Sequence, residues 1–500
     1  MPNTVTSRPL RMGASIPHAM VLAVLAALVA DLTLRFSPTG FAGGGTDDQR
    51  YLEAALAWYR DGIAPGKTHW ALRHPLILAV LASFKMFGPT TDAMLLVPRL
   101  AWALLVAVTT GGLARFAGLR AAALWVLLAV LSPIMHEMAT SCFPEMVELA
   151  FSAVSLWAFL AVRGAGRGRI AWLLLSGLAA GLAILTRETA VVLPLVYGIA
   201  FLWRPGMSRG SYAWIAAGLI LPIAIDTLWL WQQTGDALYR YHIDSGHIHI
   251  ASAHLRGGVY TGVRGPILNF DLASRWVPSG PLPIHWSVDP LINLIIDPRF
   301  GLIFLAWGVL AWGRGRGDSY DQLRPLLIGV ALLSFVLTTW VLMLRPQPRY
   351  YLLATYAATI GVALLSGKRR VTIIMLTLVA LAGFVTIALS RNQQRPAELI
   401  VPYVASHSGF FYVDPKVRAR IDYSLDRAGL ATRVGGDEVP IGGIRIRLLS
   451  EKPFKLGKPF DRPGYAPLET TLEPRPLFHR LLQSPTVALR PALRIERRVK

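Results

Sequence analysis

The chain reads as an α-helical polytopic membrane protein with about eleven transmembrane helices, surface helices in its first outer loop and a small C-terminal α/β domain. Three observations predict this. Of 500 residues, 54% are hydrophobic and 16% charged, whereas a soluble globular chain carries roughly 25% charged residues. Apolar runs close to the ~20 residues that cross a bilayer recur as far as residue 390. From residue 391 the pattern changes to shorter segments in which helical and alternating periods succeed one another.

The first apolar run, 17–35, has the length of a retained helix rather than a signal peptide. GGGTDDQRYLEAALAWYR, residues 43–60, follows it. Thr46 and Gln49 match a capping box, which places Asp47 and Asp48 in the first helical turn, where negative charge suits the helix dipole. Leu52, Ala55, Leu56 and Tyr59 share one face, as in a helix lying on a membrane surface. The run at 74–88 is about 15 residues long, which suits a second interfacial helix better than a span. Further spans are predicted near 95–113, 121–137, 145–162, 170–185, 189–203, 212–231, 299–313, 325–344, 350–366 and 371–390.

Charge supports this assignment. With 74–88 kept on one side, one face receives Arg8, Arg11, Arg115, Arg120, Arg163, Arg167, Arg169, Arg204, Arg209, Arg314, Arg316, Arg324, Lys368, Arg369 and Arg370. The short loops of the other face receive little beyond Arg187, Arg345 and Arg349. The positive-inside rule then places the N-terminus in the cytoplasm. A net charge of +21 is therefore read as orientation signals, and no nucleic-acid partner is expected. Two large parts lie outside: the loop from about 232 to 298, and residues 391–500, a small α/β domain of about 60 residues with a Pro/Arg-rich extension. No internal repeat points to an inverted-repeat transporter.

Most of the conspicuous polar residues gather on the outer face. The first outer loop holds Asp47, Asp48, Arg50, Tyr51, Lys67, His69, Arg73 and His74; His136, Glu137, Glu145 and Glu148 surround the second. Arg187 and Glu188 form a short third turn, and Arg345 and Arg349 flank the fifth. Charged groups at membrane depth are costly and mark function. For the aspartate pair, helix capping and catalysis both stand as readings. Group transfer from a phosphate carrier needs a base for the attacking hydroxyl and positive charge for the departing phosphate. Arg50, Arg73, Arg187 and Arg349 are candidates for the second role, because a guanidinium bonds phosphate oxygens in pairs.

The sequence resembles the GT-C glycosyltransferases, which include the bacterial aminoarabinose and galacturonic acid transferases and, more distantly, the protein O-mannosyltransferases. TDDQRYLEAA resembles the Asp-Glu-x-Arg-Tyr stretch after their first span, and RHPLILAVLASFKMFG their Lys-Pro-Pro-Leu segment. FPEMVELAF lies where they carry a second acid. GLAAGLAILTRETAVVLPLV is similar to their Gly-Leu…Thr-Lys-Gly…Pro segment, and RPQPRYYLLATYAA to their late Arg-Tyr motif. The resemblance covers roughly residues 17–390.

It implies a GT-C-like transmembrane catalytic domain over 1–390, acting on a polyprenyl-phosphate-linked sugar within the bacterial inner membrane. Asp47 would be the catalytic carboxylate with Asp48 beside it, and Arg50, Arg73 and Arg187 would contact the carrier phosphate. Glu145 would be the second-loop acid, and Arg349 and Tyr350 would line the late part of the site. Tyr51, His74 and Glu188 are further candidates for substrate contact. Two positions depart from the pattern: Arg73-His74 stands for Lys-Pro, and Arg187-Glu188 for Lys-Gly. The implied reaction is one inverting displacement onto an acceptor outside the membrane; with a phosphate as acceptor, no base would be needed. A flippase or transporter for a lipid-linked sugar is the alternative, as is a polymerase or ligase using Arg240, Arg256, Arg264 and Arg275 of the 232–298 loop.

The remaining signals are weaker. His242, His247, His249 and His254 match no standard zinc spacing, so no cofactor is expected, with a divalent cation left open. PGKT at 65–68 lacks the glycine of a phosphate loop, having Asp61 in its place. Cys142 is the only cysteine, so no intrachain disulfide forms. In a Cys142→Ser background, a membrane-impermeant thiol reagent should label Thr46→Cys from outside, and Gly166→Cys only after permeabilisation. The opposite pattern would reverse the topology.

Overall fold

A computed structural model describes residues 16–34, 47–162, 168–203, 207–245, 301–313, 318–341, 348–366, 370–390, 396–436, 438–448, 464–474 and 489–500. The chain divides into two compact units, Met1–Phe36 with Ala54–Thr386, and Ser37–Glu53 with Ile387–Lys500.

The first unit is a helical bundle. Its elements begin with α1 (Ile16–Leu34), the second half of α2 (Asp47–Asp61), a 3-10 turn at His69–Leu72, α3 (His74–Phe87) and α4 (Thr91–Phe116). There follow α5 (Leu119–Val130), α6 (Pro133–Ala139), α7 (Pro144–Ala161), α8 (Arg169–Thr186), α9 (Val192–Trp203) and α10 (Arg209–Thr234). Four further helices complete it, Gly301–Gly313, Asp318–Val336, Leu352–Leu365 and, as far as Thr386, Arg370–Ser390. Among the described residues, Pro17–Leu34, Asp92–Phe116, Pro144–Ala161, Arg169–Thr186 and Arg209–Thr234 are long and apolar enough to cross a membrane. Apolar side chains stand exposed along α1 and α10, among them Val21, Leu28, Leu221 and Ile225, as on helices bathed in hydrocarbon.

The later apolar runs also recur as helices. Among the described residues, Glu188–Trp203, Gly301–Trp312, Leu323–Thr339 and Arg349–Leu365 are apolar stretches of 10–17 residues, and the run expected at 371–390 is the 21-residue helix Arg370–Ser390. The run expected as one span over 121–137 is two helices, α5 and α6, bent by 70°. Pro133 explains the break: it has no N–H to continue α5, yet suits the first turn of α6. The run at 74–88 is the 14-residue α3, packed on α4 and α8.

The bundle centres on α7, which is buried around almost its whole circumference. Small polar groups tie it to its neighbours. Ser155 Oγ donates to the Ser176 carbonyl of α8 (2.8 Å) while Ser176 Oγ donates to the Ser155 carbonyl (3.0 Å). Trp157 donates its indole N–H to the Tyr356 hydroxyl (2.9 Å), which also bonds Thr109 of α4 (2.8 Å). In an apolar medium such interhelical bonds and close packing replace the hydrophobic drive. On the other side of α8, α10 approaches closely, Gly177 against Gly218 and Gly181 against Leu219 and Pro222. A Cβ at Gly177 would collide with the Ile215 carbonyl, and one at Gly218 with the Leu174 carbonyl.

In the second unit, Gln49 Nε2 donates to Glu53 Oε1 (2.9 Å); the capping box expected with Thr46 lies outside the described residues. Its sheet has the order β2-β1-β3-β5-β4, from β1 (Phe411–Tyr412), β2 (Val434–Gly435), β3 (Ile444–Leu448), β4 (Tyr465–Pro474) and β5 (Leu489–Arg498). The helices Pro396–Ser406 and Pro415–Arg427 bury Ile400, Val404, Ile421 and Leu425 against Phe411, Val434, Ile446, Leu493 and Ile495. The Pro/Arg-rich extension, expected as an appendage, supplies two of the five strands. Its prolines hid them. Pro467 and Pro474 are tolerated because β4 is an edge strand, and Pro491 faces Leu472 at a break in the register.

Gly177→Leu and Gly218→Val should each destabilise the bundle by at least ~1–3 kcal/mol, since backbone atoms cannot move aside. Gly198→Ala on α9, where an added Cβ meets nothing within 4 Å, should leave the melting temperature in detergent unchanged or higher. Equal melting temperatures for all three variants would refute the close α8–α10 contact.

Candidate functional site

The charged residues of the first unit converge where several helices begin or end. Glu145 occupies the first turn of α7, just after Pro144, where a carboxylate meets the helix dipole favourably. Arg187 follows the last turn of α8 in extended conformation and opens the 3-10 turn Glu188–Val191. Arg349 and Tyr350 belong to a 3-10 turn, Pro348–Tyr351, ahead of the helix Leu352–Leu365. Arg73 stands at the joint between the 3-10 turn His69–Leu72 and α3. These joints bring residues far apart in sequence onto two carboxylates, Glu145 and Glu188.

Glu145 has 2% of its side chain exposed and pairs with both Arg187 and Arg349 through the same oxygen, Oε1, the latter at 3.3 Å. Its Oε2 makes no hydrogen bond among the described residues. The Arg187 guanidinium also stacks over the Tyr350 ring (4.3 Å), and that of Arg349 over Phe143 (4.6 Å). Arg73, itself buried, pairs with Glu188, whose side chain is 37% exposed. Glu148, one turn after Glu145, accepts a hydrogen bond from the Thr189 hydroxyl (2.6 Å) and lies in the electrostatic field of Arg187 and Arg73. A guanidinium has five N–H donors, so one shared carboxylate oxygen does not exhaust Arg187. The arrangement suits a bound oxyanion.

A second buried cluster adjoins the first. His74 Nδ1 pairs with Asp226 Oδ1 of α10, between the rings of Trp58 (5.5 Å) and Trp229 (5.3 Å). Arg240 lies 3.4 Å from Asp226 Oδ2 and donates to the carbonyls of Leu72 and Leu185, both at 2.8 Å. Gly235, in the left-handed conformation (φ 75°), ends α10 so that the chain turns back toward Arg240. Asp236 caps that turn by accepting from the Leu238 N–H, and its bond with His242 holds its carboxyl below the ordinary carboxylate range.

Of the residues singled out from sequence, Arg73, Arg187, Arg349, Glu145, Glu188 and Tyr350 meet in this cluster. His74 turns instead to Asp226. Asp47, Asp48, Arg50 and Tyr51 belong to the second unit. There Asp48 and Tyr51 are buried, Asp47 is half-buried, and Arg50 is an exposed partner of Glu53 (3.3 Å). Asp226 and Thr189 went unrecognised as site residues, and Arg240 was singled out only for the polymerase or ligase alternative. For Asp226 a signal existed, an acid inside the apolar run ILPIAIDTLWL. His247, His249, His254, Arg256, Arg264, Arg275 and Arg345 lie outside the described residues. No three His, Cys, Asp or Glu side chains among the described residues group to hold a metal ion.

Residues 71–231 match the model of the PMT_2 family, dolichyl-phosphate-mannose-protein mannosyltransferase. The match takes in Arg73, Glu145, Arg187, Glu188, Asp226 and most of the bundle's first half, and it bears out the resemblance over that stretch. No curated protein matches the chain. Among solved structures, the chain is similar to ArnT from Cupriavidus metallidurans in the apo state, at 16% identity over 97% of this chain and 98% of that one, TM-score 0.41. The same enzyme bound to undecaprenyl phosphate matches at 14% identity over 96% and 98%, TM-score 0.39. The oligosaccharyltransferase of Archaeoglobus fulgidus in the apo form matches at 15% identity over 83% of this chain and 64% of that one, TM-score 0.49.

Glu145→Gln keeps the side chain's shape but leaves two buried guanidiniums facing a neutral amide. It should cost about 3–5 kcal/mol in unfolding free energy, while Glu53→Gln, partner of the exposed Arg50, should cost under about 1 kcal/mol. Equal effects in denaturant titrations would remove Glu145 from its place as the cluster's anchor.

Proposed function

We propose that the chain is an integral-membrane glycosyltransferase that moves a sugar from a polyprenyl-phosphate donor to an acceptor outside the cytoplasm. The observation that carries this reading is the convergence of Arg73, Arg187 and Arg349 on Glu145 and Glu188. Arg73, Arg187 and both glutamates lie within the segment that matches a family acting from a dolichyl-phosphate sugar. Such a donor carries one phosphodiester at the membrane surface. Cleaving its sugar bond leaves a phosphate dianion that guanidiniums stabilise more strongly than the diester they first met.

The step is a single displacement. The acceptor hydroxyl oxygen forms a bond to the anomeric carbon as the bond from that carbon to the phosphate oxygen breaks, with inversion. The electron pair leaves with the polyprenyl phosphate toward the arginines, and the hydroxyl proton passes to Asp47. Asp48 stands beside it, and Arg50, Tyr51 and His74 complete the set of substrate contacts this reading assigns. Within the cluster Glu188 is the carboxylate that yields to phosphate on Arg73, because it is partly solvated, whereas Glu145 is buried and stays paired. The chain would sit in a bacterial inner membrane with its N-terminus in the cytoplasm and residues 391–500 outside.

In reconstituted enzyme supplied with a polyprenyl-phosphate sugar, Asp47→Asn should lower the transfer rate by ~10²–10⁴-fold, with donor affinity unchanged. Transfer at the wild-type rate would remove Asp47 from the chemistry. Failure of the wild type to transfer to any lipid, glycan or protein acceptor, with donor crossing the bilayer instead, would replace the enzyme by a transporter.

A further inference from the structure

Arg240 lies beyond the end of α10 and touches none of the three site arginines' carboxylate partners. Its contacts are nonetheless specific. Nη1 donates to the carbonyl of Leu72, the residue before Arg73, and Nη2 to the carbonyl of Leu185, two residues before Arg187. Both carbonyls belong to helix ends, Leu72 closing a 3-10 turn and Leu185 in the last turn of α8, where carbonyls lack intrahelical partners. One guanidinium therefore closes two orphan acceptors at once and places positive charge at the C-terminal end of α8. Asp226 Oδ2 (3.4 Å) and Asp244 Oδ2 (3.8 Å) hold the guanidinium from its other sides. Tyr239, one residue earlier, donates its hydroxyl to the Gly66 carbonyl (3.0 Å), so the same turn grips the first-loop segment at a second point.

We propose that Arg240 is a positioning residue: it fixes the spacing between the backbone of Arg73 and that of Arg187, and so sets the width of the phosphate site they form. This rests on the proposed role of those two arginines. The planar fork is essential to it, because two donations must leave one group in fixed directions. A lysine keeps the charge but is a point donor on a flexible stem, and it can satisfy one carbonyl without registering the other. Asp226 matters because it locks the fork, and the carboxylate's second oxygen ties the lock to His74, the neighbour of Arg73.

The test is a double-mutant cycle on the full chain in detergent, reading affinity for a short-chain polyprenyl phosphate. Arg240→Lys should weaken binding by about 10- to 100-fold, the loss expected when a binding group is misplaced by ~1 Å. In an Arg187→Ala background the same change should weaken it by no more than about 2-fold, because the residue through which it acts is gone. Asp226→Asn should give a smaller loss that likewise disappears in the Arg187→Ala background, and it carries the test if Arg240→Lys fails to fold. A full additional loss in the Arg187→Ala background, or wild-type affinity for both Arg240→Lys and Asp226→Asn, would overturn the positioning role alone. Wild-type affinity for Arg73→Ala and Arg187→Ala would overturn the site itself, and the positioning role with it.

Discussion

Glu145 sets the terms for everything around it. A carboxylate removed from water at the start of a buried helix costs several kcal/mol unless cations and hydrogen bonds replace its hydration. Its two guanidinium partners come from the far side of the bundle in sequence, Arg187 after α8 and Arg349 before the helix Leu352–Leu365. Once Glu145 is buried, both joints must reach it. The aromatic faces of Tyr350 and Phe143 then shield those guanidiniums from competing water while leaving their edges for hydrogen bonding. Buried charge of this kind contributes little net stability against a well-packed apolar alternative.

The second constraint is steric and lies between α8 and α10. Backbones that touch through Gly177, Gly181 and Gly218 leave no room for the two helices to slide or rotate against each other. Arg187 ends one of these helices and Asp226 sits on the other, so the glycine contact fixes how far the first polar cluster stands from the second. Hydrogen bonds between Ser155 and Ser176 carry the same register on to α7 and thus to Glu145. Packing in the middle of the bundle therefore determines geometry at its polar end.

Much of the cluster was legible in the sequence. Arg73, Glu145, Arg187, Glu188, Arg349 and Tyr350 are charged or aromatic residues at the ends of apolar runs, and counting spans puts them on one face. Asp226, and the place of Arg240 in this cluster, escaped for a physical reason. Asp226 shows only as an acid inside an apolar run and Arg240 as one of several loop arginines; what they hold are tertiary partners up to 168 residues away, such as the Leu72 carbonyl. The break across Leu131–Pro133 escaped because a hydropathy run does not register a missing N–H. Strands β4 and β5 were missed because proline argues against a strand until its edge position and register breaks are known.

The two departures from the GT-C pattern turn out to be partners. At the first, Arg73-His74 stands where the resembled segment has Lys-Pro; at the second, Arg187-Glu188 stands where it has Lys-Gly. Read one at a time, each looks like a weakened motif. In three dimensions Arg73 pairs with Glu188, and His74 pairs with Asp226. A glycine at 188 would offer Arg73 no carboxylate. A lysine at 73 would meet Glu188 as a point charge, without the planar fork that lets a guanidinium hold a carboxylate and still present N–H groups elsewhere. The glutamate and the arginine thus make sense as a single change, adding one matched ion pair to a site whose remaining charges already share Glu145. The imidazole at 74 has the same logic, since a proline there would leave the Asp226 carboxylate buried beside Arg240 with one oxygen unmatched.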